Sequence, residues 1–103
     1  MAGRIRIRAQ QHGDYTEVKA LMRHPMETGQ RKDQAGEAIP AHFIEEVKVT
    51  HNGSVVMHAH WGAAVSANPF LSIRFDGGSA GDEVTVVWTD NKGETGEGKT
   101  TIR

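Results

Sequence analysis

The chain has 103 residues, 37% of them hydrophobic and 24% charged, with a formal net charge of −1. That length allows one domain, residues 1–103, with one modest core. The near-neutral balance shows no basic stripe of the kind nucleic acid requires, zero cysteines exclude thiol nucleophiles, thiolate metal sites and disulfides, and no apolar run approaches the ~20 residues of a membrane helix.

In chain order, the start Met1-Ala2-Gly3-Arg4 has no apolar h-region, so no secretory signal is expected there. Arg4, Arg6 and Arg8 alternate with Ile5 and Ile7, which predicts a strand over Arg4–Gln10 with a basic solvent face. Tyr15–Arg23 is a second strand, with Val18, Ala20 and Met22 inward. The third, His42–His51, sets Phe43, Val47 and Val49 against Glu46, Lys48 and Thr50. The fourth, Val55–Trp61, sets Met57 and Ala59 against His58 and His60. Phe70–Phe75 turns Leu71 and Ile73 inward, and Glu83–Thr89 does so with Val84, Val86 and Trp88. The last segment, Glu94–Ile102, is weakly patterned. Asn52-Gly53 marks a hairpin. Matching its apolar faces requires Val49 opposite Met57 and Val47 opposite Ala59, and hence a three-residue loop with a bulge. Seven short alternating segments predict an all-β, immunoglobulin-like antiparallel β-sandwich without helices. With no disulfide between the sheets, Trp61 or Trp88 supplies the central bulk.

Two segments fit no element. His24-Pro25-Met26-Glu27-Thr28-Gly29-Gln30-Arg31-Lys32-Asp33 opens a polar interval that runs to Ala41, long for a loop in so small a domain. Ala63–Pro69 is a second loop, of small residues around Val65, Ser66 and Asn68. Neither carries catalytic chemistry. Ser66 lacks a nucleophile elbow, and Glu27, Asp33 and Glu37 have no identifiable acid–base partner. His24, held extended before Pro25, is read as a residue that orders its loop. His58 and His60 share one face opposite Lys48 and Glu46, but metal ligation needs a further convergent donor, so no metal and no cofactor is assigned. The remaining capacity is for interaction. Met26 and Val65 are apolar contacts, and Arg31 suits bidentate pairing across an interface.

The run from His24 to Asp33, then Gly36 and Ile39-Pro40, then Ala64–Pro69, then Trp88-Thr89-Asp90, resembles the SoxZ family of sulfur-oxidation proteins over about residues 17–95. The resemblance implies a non-catalytic chain that pairs with SoxY. The cysteine arm of SoxY carries the covalent sulfur intermediates of thiosulfate oxidation and presents them to other Sox enzymes. It further implies export to the periplasm together with SoxY, and it leaves room for homodimers of the isolated chain. His24, Pro25, Met26, Glu27, Arg31, Asp33, Val65, Ser66, Asn68 and Pro69 are the residues proposed to contact the partner. The competing readings are a stand-alone adhesion or carbohydrate-binding sandwich and a metal-binding protein using His58 and His60.

Overall fold

A computed structural model describes residues 3–103. Met1 and Ala2, part of the start read above for a signal, and the Arg4 side chain lie outside the described residues. Seven strands follow the alternating segments: β1 (Gly3–His12), β2 (Tyr15–Met22), β3 (Ile44–His51), β4 (Ser54–His60), β5 (Phe70–Asp76), β6 (Glu83–Asp90) and β7 (Thr95–Thr101). Among the described residues there is no helix.

The spatial order is β4-β3-β6-β7-β1-β2-β5. The first four strands form one antiparallel sheet and β1-β2-β5 another. A short parallel contact joins them, with Gly3 opposite Gly96 and Arg4 opposite Glu97. The sheets close on one core. Ile5, Ala9, Val18, Ala20 and Met22 come from the three-stranded sheet, and Ile44, Val47, Val49, Val84, Val86 and Trp88 from the other. The alternation of apolar residues therefore does what period-2 patterning dictates, turning one face of each sheet toward the other. The result is a seven-stranded, immunoglobulin-like β-sandwich.

Three details differ from the sequence expectation. The hairpin between β3 and β4 keeps a two-residue loop, with His51 opposite Ser54 and both Asn52 (φ 48°) and Gly53 (φ 85°) left-handed. The extra residue is Val56, skipped between the pairs Thr50–Val55 and Val49–Met57. The bulge is thus present, but inside the ladder. Beyond it the expected pairs hold, including Val47–Ala59, Lys48–His58 and Glu46–His60. A second bulge skips Glu45 between Ile44–Asp90 and Glu46–Thr89. It shifts the phase of β3, so Ile44 is fully buried and Phe43 is only half-buried. Met57, Ala59, Leu71 and Ile73 are also half-buried, because β4 and β5 are the two edge strands and their inward faces have neighbours on one side only. Of the two tryptophans, Trp88 is the buried one, 2% exposed, and Trp61 packs at the core margin.

The weak pattern of β7 has a steric cause. Its inward positions are Gly96 and Gly98. A Cβ at Gly96 would collide with the indole of Trp88, and one at Gly98 would press on the side chain of Ile5. The missing side chains are the space these two core residues occupy. Gly96→Ala is expected to destabilise the fold by about 1–3 kcal/mol through overpacking. Urea unfolding followed by Trp88 fluorescence measures it. An unchanged midpoint would show that the indole is free to shift.

Candidate functional site

The site is assembled at one end of the sandwich, where β6 turns into β7. Asp90 closes β6 and is 2% exposed. Its Oδ1 accepts from the backbone N–H groups of Lys92 (3.0 Å) and Glu94 (2.8 Å), so this oxygen fixes the turn. Its Oδ2 faces inward, 2.9 Å from Nε2 of His24 and 2.7 Å from Nε2 of His42. The His42 nitrogen also lies 3.0 Å from Oε1 of Glu94. Burial pushes the Asp90 carboxyl toward higher pKa. The hydrogen bonds from His24, from the Glu94 N–H, from His42 and from the Lys92 N–H outweigh it and hold the group at about 2.

His24 is fixed on every side. Its Nδ1 accepts from the Met26 N–H at 3.1 Å. That nitrogen therefore carries no proton, and Nε2 carries the hydrogen donated to Asp90. The ring edge packs on Trp88, with centroids 5.0 Å apart and planes at 88°. The backbone of His24 pairs with Asn68 in both directions: its N–H donates to Asn68 Oδ1 (3.1 Å), and its carbonyl accepts from the Asn68 N–H (2.9 Å). Met26 and Asn68 both adopt left-handed backbones, φ 49° and 52°, which non-glycine residues rarely do. Met26 is held there because its N–H is taken by His24 and its Sδ lies 3.3 Å from the Ile44 N–H.

The interval Pro25–Ala41 is a folded-back ribbon rather than a free loop. Glu27 bridges His42 and Lys32 bridges Ala38. Asp33 caps its tip, accepting from the N–H groups of Ala35 (2.9 Å) and Glu37 (3.0 Å). Arg31 forms an exposed two-pronged pair with Glu27, which lowers the Glu27 pKa. Asn91, next to Asp90, accepts from the Phe43 N–H at 2.8 Å and donates to the Ala41 carbonyl at 2.9 Å, tying the ribbon's return to the same turn.

The structure thus brings the two sequence motifs together through His24 and Asn68. Of the ten residues proposed as partner contacts, His24, Met26 and Pro69 are buried, and Glu27 and Val65 are half-buried. Pro25, Arg31, Asp33, Ser66 and Asn68 are exposed. Asp90, His42, Asn91 and Glu94 were not singled out from sequence. Trp88-Thr89-Asp90 was noted only as a match to a family pattern, and nothing local signals a contact between residues 24 and 90. Chemically the cluster is a satisfied hydrogen-bond network. A metal on Nε2 of His24 would need the proton on Nδ1, where the Met26 N–H already points, so this histidine is unsuited to ligation.

Removing the charge exposes the network's contribution. Asp90→Asn is expected to cost about 2–3 kcal/mol, the loss of charge-assisted hydrogen bonds from buried donors. A carboxyl lowered from 3.8 to about 2 contributes stability that is complete above about pH 4 and is lost as pH falls toward 2. The linked difference is about 2 kcal/mol. Acid titration of stability should therefore be shallower in Asp90→Asn than in the parent over that window. Equal slopes would remove Asp90 as the acid-sensitive group.

Comparison with known proteins places this fold and these motifs. The chain is similar in structure to a superoxide reductase in the oxidised state, at 14% identity and a TM-score of 0.67, covering 100% of this chain and 90% of that one. It is similar to a hypothetical protein from Pyrococcus horikoshii, at 14% identity and a TM-score of 0.65, covering 96% and 87%. It also matches a variant of the superoxide reductase (neelaredoxin) from Ignicoccus hospitalis, at 13% identity and a TM-score of 0.64, covering 99% and 81%. At such identities the likeness is one of fold alone. No curated protein sequence matches the chain. The model of the family described as sulphur oxidation protein SoxZ matches residues 5–101, nearly the whole chain, and the protein belongs to that family.

Proposed function

We propose that this chain is the non-catalytic half of a SoxYZ sulfur carrier. It binds and stabilises a SoxY partner, whose cysteine arm holds the covalent sulfur intermediates of thiosulfate oxidation, and it helps present that arm to the other Sox enzymes. The observation that carries the reading is a SoxZ match over residues 5–101 in a chain with no cysteine. Covalent sulfur carriage needs a thiolate, so that chemistry belongs to another chain. The histidine–carboxylate cluster supports this reading, because its polar groups are consumed in holding two loops together. A periplasmic location, reached together with SoxY, is part of the proposal.

The contact surface proposed here starts from the exposed parts of the two motif loops, Pro25, Arg31 and Ser66, and extends to Phe70. Phe70 begins β5, directly after the braced Asn68-Pro69 segment, and is 62% exposed. It borders a groove of about 250 Å³ lined by Arg6, Arg8, Lys19 and Leu21. Among the described residues, Arg6 and Arg8 form no ion pair. An apolar anchor beside Arg6 and Arg8, with Lys19 held by Glu17, suits a partner surface that is apolar at its centre and acidic at its rim. The edge of β5 is unpaired. In the absence of SoxY it offers a route to homodimers.

Co-expression with a SoxY chain and size-exclusion chromatography test the proposal. A stable heterodimer is expected, with on the order of 2,000 Å² or more buried. Phe70→Asp should weaken it by about tenfold or more, the loss of a central anchor. Arg31→Asp should weaken it less, since Arg31 is already engaged with Glu27. Separate elution of the two parent chains would overturn the carrier reading. A heterodimer indifferent to Phe70→Asp would move the interface elsewhere.

A further inference from the structure

We infer that Glu46, His58 and His60 form a surface site for a first-row divalent cation, Zn(II) or Cu(II), on the outer face of the four-stranded sheet. The sequence sets two histidines two residues apart on one face, opposite Lys48 and Glu46. The structure brings Glu46 within reach as the third donor and explains why it is in place. The bulge at Val56 sets the phase of β4, so that Met57 and Ala59 turn toward the core and His58 and His60 turn outward. The ladder then puts Glu46 opposite His60 and Lys48 opposite His58. Oε2 of Glu46 lies 2.7 Å from Nε2 of His58. The two rings stand 4.9 Å apart, tilted by 43°. One donor atom from each of the three residues lies within 4.8 Å of the others.

The chemistry of the set suits such a cation. Two imidazoles and one carboxylate are the donors of a three-ligand zinc site with open positions, at bond lengths of roughly 2.0–2.2 Å. Copper(II) binds the same donors more tightly than zinc. Drawing the donors to the roughly 3.4 Å mutual spacing of a tetrahedral shell needs only side-chain rotation. The Glu46 and His58 side chains are 47% and 39% exposed, which leaves them room to turn on the solvent side.

The contrast with the buried cluster decides between the two histidine groups. There, the Met26 N–H commits Nδ1 of His24 as an acceptor. Here, among the described residues, Nδ1 of His58 and both nitrogens of His60 make no hydrogen bond, so either tautomer is available and each ring can present an unprotonated nitrogen to a metal. Lys48 is the opposing group. Its side chain is exposed and long, and its ammonium can turn to water while the stem stays on the sheet.

Calorimetric titration of chelator-treated protein with zinc chloride and with copper chloride tests the site, and it does not depend on the SoxY proposal. One ion per chain is expected. His58→Ala and His60→Ala should each weaken binding by roughly tenfold or more, since even an outer-shell partner typically contributes that much. His12→Ala, which alters an exposed histidine on the other sheet, should leave it unchanged. In the copper form, electron paramagnetic resonance should show coupling to two imidazole nitrogens, reduced to one in either histidine variant. Far-UV circular dichroism establishes that the variants are folded. Non-saturable binding, or saturable binding that survives His58→Ala combined with His60→Ala, overturns the inference.

Discussion

The buried carboxylate of Asp90 is the constraint on which the irregular end of this sandwich depends. A lone charge at that depth would cost several kcal/mol. The protein surrounds it with two histidine nitrogens and two backbone N–H groups. Each of those donors belongs to a piece of irregular chain. Satisfying one carboxylate therefore fixes the β6–β7 turn, the start of the ribbon at His24 and its return at His42 at the same time. The strands alone would not do this, because ladder hydrogen bonds stop where the ladder stops. Among the described residues, the buried Nε1 of Trp88, which lies over Gly96, has no hydrogen-bond partner.

This arrangement commits the polar groups of the motifs to holding the chain's own loops. The motif residues with the most chemical character, His24, Met26 and Asn68, are occupied within the chain. What they hold in place is the segment that leads into β5, where Met22 donates to the Pro69 carbonyl at 2.9 Å and Phe70 emerges into solvent. A surface anchored in this way is ordered before any partner arrives, which reduces the entropy lost on association.

Histidine is used in two ways that burial distinguishes. Among the described residues, five of the six histidines pair directly with a carboxylate: His24 and His42 with Asp90, His51 with Asp82, His58 with Glu46, and His12 with Glu17. The exposed pairs are screened and contribute little to stability. The buried pair on Asp90 cannot be hydrated and becomes part of the fold. The outward pair on β4 keeps its nitrogens accessible, and accessibility is what a ligand site requires. The same residue type thus serves as a brace at one end of the molecule and as an open donor on the outer face of the four-stranded sheet.

Alternation of apolar and polar residues determined the seven strands, the two inward faces and most of the core, because a strand's period of two is a local property that short-range sequence records. It also required a bulge in the β3–β4 hairpin, since without one Val47 would face His58 and Lys48 would face Met57. Where that bulge lies was decided by tertiary structure. The tight turn at Asn52-Gly53 was favourable enough to keep, and the extra residue moved to Val56. The bulge at Glu45, and with it the exchange of Phe43 for Ile44 in the core, had no local signal, because it depends on how β3 meets β6. The His24–Asp90 contact was out of reach for the same reason. Its partners are 66 residues apart, and a buried charge finds its donors only after both sheets have closed.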